Sequence, residues 1–305
     1  MGPVAIPSDP NWPPASSLLV ESPVPGRRNA GLVGVATHAT SLSARSSLDT
    51  PGAVRRALER YSTWSFRDGL DLAEHVALVD YGDVLDPDGA GGDERVRAIF
   101  ERVDDLVALR LVLGGDNAAT WHALYALAHD HYADWGLVTL DAHLDLRDGV
   151  SNGSPVRQLI ADGLDPAHVV QVGLADFSNS AVYARRAREL GIHIITRDDL
   201  RAEPIEAAVS RAVALAAGAG RHVYVDVDLD VADRAVVPGC PGAAPGGLGA
   251  DELRRALHAF GAAPSVAVID VTEIDLARDS ADERTVRLAA LLVLEALAGL
   301  ARRIS

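Results

Sequence analysis

The sequence predicts one α/β domain with a mostly parallel sheet covered by helices on both faces. Eight short apolar runs rich in β-branched residues recur along it, at Leu32–Ala36, Val76–Asp80, Leu109–Leu113, Leu137–Asp141, Val169–Gly173, Ile192–Thr196, Val223–Asp228 and Val266–Val271. Between most of them lie Ala-, Leu- and Arg-rich stretches at helical spacing, such as Arg95–Ala108, Ala118–Ala133 and Ala181–Leu190. Strands alternating with helices build parallel sheets, and a strand buried on both faces reads as an unbroken apolar run. An amphipathic helix from about Glu283 to Arg303 is expected to pack on the sheet. No second core, linker or internal repeat interrupts the pattern, so residues 27–305 form the domain and residues 1–26 a Pro-rich leading segment.

Composition narrows the chemistry. The 305 residues include 28 basic and 43 acidic side chains, a formal net charge of −15, which argues against nucleic acid or an anionic membrane as partner. All the basic residues are Arg; without Lys there is no Schiff-base lysine and no P-loop lysine. The single cysteine, Cys240, forms no internal disulfide and suits a reducing compartment. Residues 1–26 lack the basic-then-apolar order of a signal peptide, and Ile6 stands where a myristoylation signal needs Ser or Thr. The apolar stretch Leu288–Leu300 is too short to span a bilayer, so a cytoplasmic protein without a membrane segment is expected.

In open parallel sheets, ligands bind beyond the carboxyl ends of the strands. Three such ends are unusual. In Asp-Ala-His-Leu-Asp, residues Asp141, His143 and Asp145 alternate, so extended backbone points all three to one side. In Asp-Val-Asp-Leu-Asp, residues Asp226, Asp228 and Asp230 do the same. Carboxylates crowded beside apolar strands repel one another unless a cation neutralises them. Oxygen with imidazole suits Mn²⁺, Zn²⁺ or Fe²⁺, and two such clusters suit a pair of ions bridged by carboxylates. The third end is Gly114-Gly-Asp-Asn117, a tight turn into a helix that Asp116 or Asn117 would cap.

Gly-Gly-Asp-Asn at 114–117, the two acidic clusters, Pro238-Gly239 and Glu273 occur in an order and spacing that resembles the ureohydrolases. These include arginase, agmatinase, guanidinobutyrase and formimidoylglutamase. The resemblance runs from about Gly31 to the C-terminus and takes in TPGAVRRAL at 50–58 and PGGL at 245–248. It implies a three-layer α/β/α, arginase-like fold with a roughly eight-stranded sheet, and a site for two Mn²⁺ ions. It also implies trimers or hexamers. On this resemblance Asp141 and Asp228 bridge the ions, His143 and Asp230 complete one of them, and Asp145 and Asn117 serve the other. The family has histidine at Asn117, and an amide oxygen is the weaker donor, so that subsite is expected to bind loosely. The family usually has Ser at Asp226, which makes that carboxylate an addition.

The family's chemistry is attack by a metal-activated hydroxide on the carbon of an amidine or guanidine. Arginases and agmatinases carry a histidine where this chain has Asn152, so two histidines of the usual site are missing. Arg147, two residues past Asp145, and Arg157 offer guanidinium forks that match a substrate carboxylate. The segment Gln171–Ser180, with Tyr183 and Arg185, resembles the corresponding loop of formimidoylglutamases. The implied reaction is hydrolysis of N-formimidoyl-L-glutamate, a step of histidine metabolism, to glutamate and formamide. Asp145 would move the proton and Glu273 would hold the substrate's N–H groups. A guanidino hydrolase releasing urea, of agmatinase or guanidinobutyrase type, is the alternative; a metal-depleted binding protein of the same fold is the second.

Overall fold

Eleven strands emerge in the computed structural model, which describes residues 9–43 and 49–303. In chain order they are β1 (Leu19–Val20), β2 (Arg28–Val35), β3 (Trp64–Ser65), β4 (Leu70–Asp71), β5 (Val76–Asp83), β6 (Val107–Gly114), β7 (Trp135–Leu140), β8 (Val169–Leu174), β9 (His193–Thr196), β10 (His222–Val227) and β11 (Val266–Val271). Strands β3 and β4 make a small antiparallel pair; the other nine form one sheet in the order β1-β5-β2-β6-β11-β10-β7-β8-β9, every neighbouring pair parallel. Each of the eight apolar runs is a strand of this sheet. The ninth, β1, lies within the Pro-rich segment and is too short to carry a pattern. Ala15 and Leu18, just before it, are buried in the core, so the domain takes in part of residues 1–26. Residues 1–8 of that segment lie outside the described residues.

The helices are α1 (Thr50–Ala57), α2 (Leu72–His75), α3 (Gly92–Glu101), α4 (Ala118–Ala128), α5 (Pro155–Asp162), α6 (Ala181–Leu190), α7 (Ile205–Ala217), α8 (Ala250–Ala262) and α9 (Arg284–Ala301). One apolar core joins the sheet to α1, α7, α8 and α9, and a second joins its other face to α3, α4, α5 and α6. This is the three-layer arrangement. Two helices end earlier than their composition suggests. Helix α3 stops at Glu101 because the apolar residues from Val107 onward belong to β6, and α4 stops at Ala128, where His129 turns left-handed at φ 39°. Helix α9 packs against α8 and α1 and, in the same apolar core, against β2 and β5 of the sheet. No helix among the described residues is long and apolar enough to cross a membrane.

The chain leaves β7 toward β8 and β9 on one side and leaves β10 toward β11 on the other. Neighbouring strands whose connections part this way open a crevice at their carboxyl ends. Here β7 and β10 are neighbours, and they carry the two acidic clusters.

Candidate metal centre

The register of β7 and β10 pairs Leu140 with Val227, so the segments beginning at Asp141 and Asp228 start side by side. The simple alternation expected of the clusters ends there. Strand β7 stops at Leu140 and β10 at Val227, and Asp145 adopts the left-handed region at φ 50°. What turns Asp141, His143 and Asp145 to one place is a braced loop. Asn179 accepts from the Leu144 N–H at 2.8 Å and donates to the Ala142 carbonyl at 2.9 Å, while Gln171 donates to the Leu144 carbonyl at 2.6 Å. Across the crevice Asp228 caps the 3-10 turn Leu229–Val231, accepting from the Asp230 N–H at 2.8 Å. Glu273 follows β11 with φ 64°, and its N–H donates to the Gly115 carbonyl at 2.8 Å. Left-handed backbone at two acidic side chains is costly and persists only where the surroundings enforce it.

Asp141, Asp145, Asp226, Asp228, Asp230 and Glu273 are all buried. His143 Nδ1 lies 2.7 Å from Asp230 Oδ2 and 3.5 Å from Asp141 Oδ1. Asp141, His143 and Asp230 bring one ligand atom each within 4.8 Å of one another, and so do Asp141, Asp145 and Asp226. Among the described residues no donor reaches the buried Asp141 Oδ2 or Asp226 Oδ1. Burial, with the charges of their acidic neighbours, pushes the carboxyls of Asp141, Asp226 and Asp228 well above the usual range. Burial raises Asp145 to about 7, although His143 and the Asn117 amide oppose it. Burial alone would lower His143, but its bond to Asp230 and the surrounding carboxylates outweigh that and lift it to about 9. Asp230 is the exception: burial acts to raise it, yet the bond to His143 holds it below the ordinary value. One imidazolium cannot balance this many carboxylates, and hard oxygens with one imidazole form a donor set for Mn²⁺.

The expected site residues fall into two groups. A cavity of about 160 Å³ at the mouth of the crevice is lined by His143, Asp145, Arg147, Asn152, Asp228, Asp230 and Glu273, together with Leu42, Ser43, Gly153 and Gly242. Asn152 donates to Glu273 Oε1 at 2.8 Å, and the Asn117 N–H donates to the same oxygen at 2.9 Å. Arg147 is exposed at the rim, where its stem crosses Gly153 so closely that an added Cβ would sit 2.7 Å from Arg147 Cδ. Arg157 does not join them. Its guanidinium donates to the carbonyls of Arg147, at 2.7 Å, and Gly149, so it braces the loop and its expected role as a carboxylate clamp is corrected. Asn117 is in place but reversed. Its amide oxygen accepts from Thr272 Oγ1 at 2.8 Å, with Thr120 Oγ1 at 3.1 Å, and its NH₂ faces Asp145 Oδ2 at 2.7 Å. The amide therefore offers these carboxylates a donor, where an oxygen ligand was expected. Its backbone occupies the N-cap position of α4, but Asp116 makes the side-chain bond, to the Ala118 N–H at 3.2 Å. Leu42 and Ser43 were missed by the motif reading, since single residues far along the chain carry no periodic or clustered signal; Asn179 lies within the singled-out segment Gln171–Ser180, but its bracing role was not read.

Residues 28–299 match the arginase family, and the chain belongs to that family. Within it, a formimidoylglutamase of Halalkalibacterium halodurans is 33% identical over 278 residues, covering 88% of this chain and 86% of the relative. The crystal structure of formimidoylglutamase from Bacillus subtilis superposes with a TM-score of 0.88 at 27% identity, covering 100% of this chain and 97% of that one. The fold is shared with Trypanosoma cruzi formiminoglutamase, whose structure was solved with Mn²⁺; the TM-score is 0.85 at 23% identity, covering 96% and 100% of the two chains.

Proposed function

We propose that this protein hydrolyses N-formimidoyl-L-glutamate to glutamate and formamide with the help of two Mn²⁺ ions. The observation that carries the reading is the meeting, in one crevice, of a buried carboxylate–imidazole cluster with the exposed guanidinium of Arg147. Asp141, His143, Asp145, Asp228 and Asp230 would hold the ions, and the buried Asp141 oxygen that lacks a donor fits a cation. When bound, Mn²⁺ supplies Lewis acidity and a water acidified toward neutral pH.

The remaining work belongs to the side chains. Arg147 receives a substrate carboxylate through its planar fork, and Arg157 fixes the loop that carries it by holding the carbonyls of Arg147 and Gly149. Glu273 accepts charge-assisted bonds from the amidine N–H groups, oriented by its bonds from Asn117 and Asn152. Asp145 accepts a proton and returns it to the departing nitrogen. A cationic substrate such as agmatine is repelled by Arg147, whereas the two carboxylates of formimidoylglutamate are attracted. The same reading carries a cytoplasmic homo-oligomer, a trimer or hexamer, which sedimentation tests. The deciding experiment incubates Mn²⁺-loaded protein in parallel with N-formimidoyl-L-glutamate, agmatine and 4-guanidinobutyrate and measures formamide and urea. Formamide from the first alone is expected; urea release without formamide overturns the assignment.

A further inference from the structure

We propose that Asp226 is a ligand of the second Mn²⁺ ion, in the position that the family pattern gives to Asn117. The inference rests on the two-ion reading above and adds to it a ligand that the pattern does not contain. Two observations point to it independently. Asp226 brings a carboxylate oxygen within 4.8 Å of those of Asp141 and Asp145, while Asn117 turns its oxygen away to Thr272 and Thr120. Separately, Asp226 is fully buried, no donor among the described residues reaches its Oδ1, and its Oδ2 accepts from the Asn117 amide at 3.4 Å.

Asp270, behind it, already accepts from Thr120 Oγ1 at 2.8 Å, Tyr224 Oη at 2.7 Å and the Val227 N–H at 3.1 Å, so it meets Asp226 only through a proton carried by Asp226, which a bound ion displaces. A buried carboxylate with an orphan oxygen is costly unless a cation or a proton meets it, and among neighbouring carboxylates an ion can serve several oxygens where a proton serves one or two. Asp226 thereby restores a strong donor to the subsite that lost its histidine, and an anionic oxygen suits Mn²⁺ better than a neutral amide oxygen does.

The test titrates metal-free protein with Mn²⁺ by calorimetry, counts bound metal after desalting, and records the electron paramagnetic resonance spectrum of the coupled ion pair. The natural protein should bind two ions. Asp226→Asn should weaken the second by at least about tenfold and lose the coupled spectrum while keeping the first. Asn117→Ala should retain both ions and the coupled spectrum. Two ions of unchanged affinity in Asp226→Asn, as a proton on Asp226 in place of the ion would give, overturn the proposal; so does loss of the second ion in Asn117→Ala. If Asp226→Asn fails to fold, Asp226→Ser replaces it, and the Asn117→Ala titration decides in any case. Natural protein that binds two ions yet releases no formamide overturns the proposed reaction and leaves this inference standing, whereas protein that binds none overturns both.

Discussion

Raising the pH of metal-free protein from about 5 to about 8.5 should lower its melting temperature, the reverse of what paired surface carboxylates produce. Asp145 supplies the magnitude. Its carboxyl stands at about 7 in the folded protein against 3.8 when unperturbed. A group raised by folding contributes stability that is complete below the unfolded value and is lost as the pH climbs through the folded one. At about 1.4 kcal/mol per pH unit, the two units from pH 5 to the folded value cost on the order of 3 kcal/mol, a large share of a typical domain's 5–15 kcal/mol. For a chain of 305 residues each kcal/mol moves the midpoint by about 1.5 °C, giving a fall of roughly 4 °C from this group. Asp141, Asp226 and Asp228 are shifted the same way, and His143, raised from 6.5 to about 9, adds to the loss at the alkaline end. Asp230 runs oppositely, but its contribution changes only below 3.8. Saturating Mn²⁺ should flatten or invert the slope, because ions then replace protons among the carboxylates. Differential scanning calorimetry of chelator-treated and Mn²⁺-loaded protein across this range measures both curves. A metal-free midpoint that is level or rises over the window would refute the electrostatic account of the site.

Substitutions at three positions separate the roles assigned above. Arg147→Ala should cut kcat/KM for formimidoylglutamate by roughly two orders of magnitude with metal content unchanged, and Arg147→Lys should restore it only in part because a point charge lacks the two-pronged geometry. Steady-state kinetics checks this, and near-normal rates in the alanine variant would leave Arg147 a surface residue. Asp228→Ala removes a shared carboxylate from the centre and should nearly abolish both Mn²⁺ retention, measured by elemental analysis, and turnover. Gly115→Ala would place a Cβ 2.1 Å from the Thr37 carbonyl oxygen; the forced shift should cost about 2–3 kcal/mol in a denaturant melt and weaken catalysis by displacing Glu273, whose N–H is held by Gly115.

The parts visible in the sequence are those encoded locally. Eight strands announced themselves because a strand buried on both faces must be apolar along its whole length, and α6 appeared with the limits its spacing gives. The acidic clusters were legible because so many carboxylates beside β-branched runs have no place in a core without a cation. Strand β1 was not legible, since Leu19 and Val20 belong to the sheet only through pairing with Leu78 and Val79 of β5. The same holds at the site. Alternation suggested that Asp145 follows Asp141 and His143 on one face, but its left-handed turn is imposed by a loop that Gln171 and Asn179 brace from later in the chain. Arg147 and Arg157 look alike as residues ten apart, yet one opens on the cavity and the other is spent on backbone carbonyls. Asn117 carries the family's motif position, but Thr272, 155 residues away, decides which end of its amide meets the carboxylates. Residue type and spacing therefore determined which chemistry gathers at the strand ends. Donor direction was left to the tertiary structure, because a side chain's orientation follows from partners that only folding brings within hydrogen-bond reach.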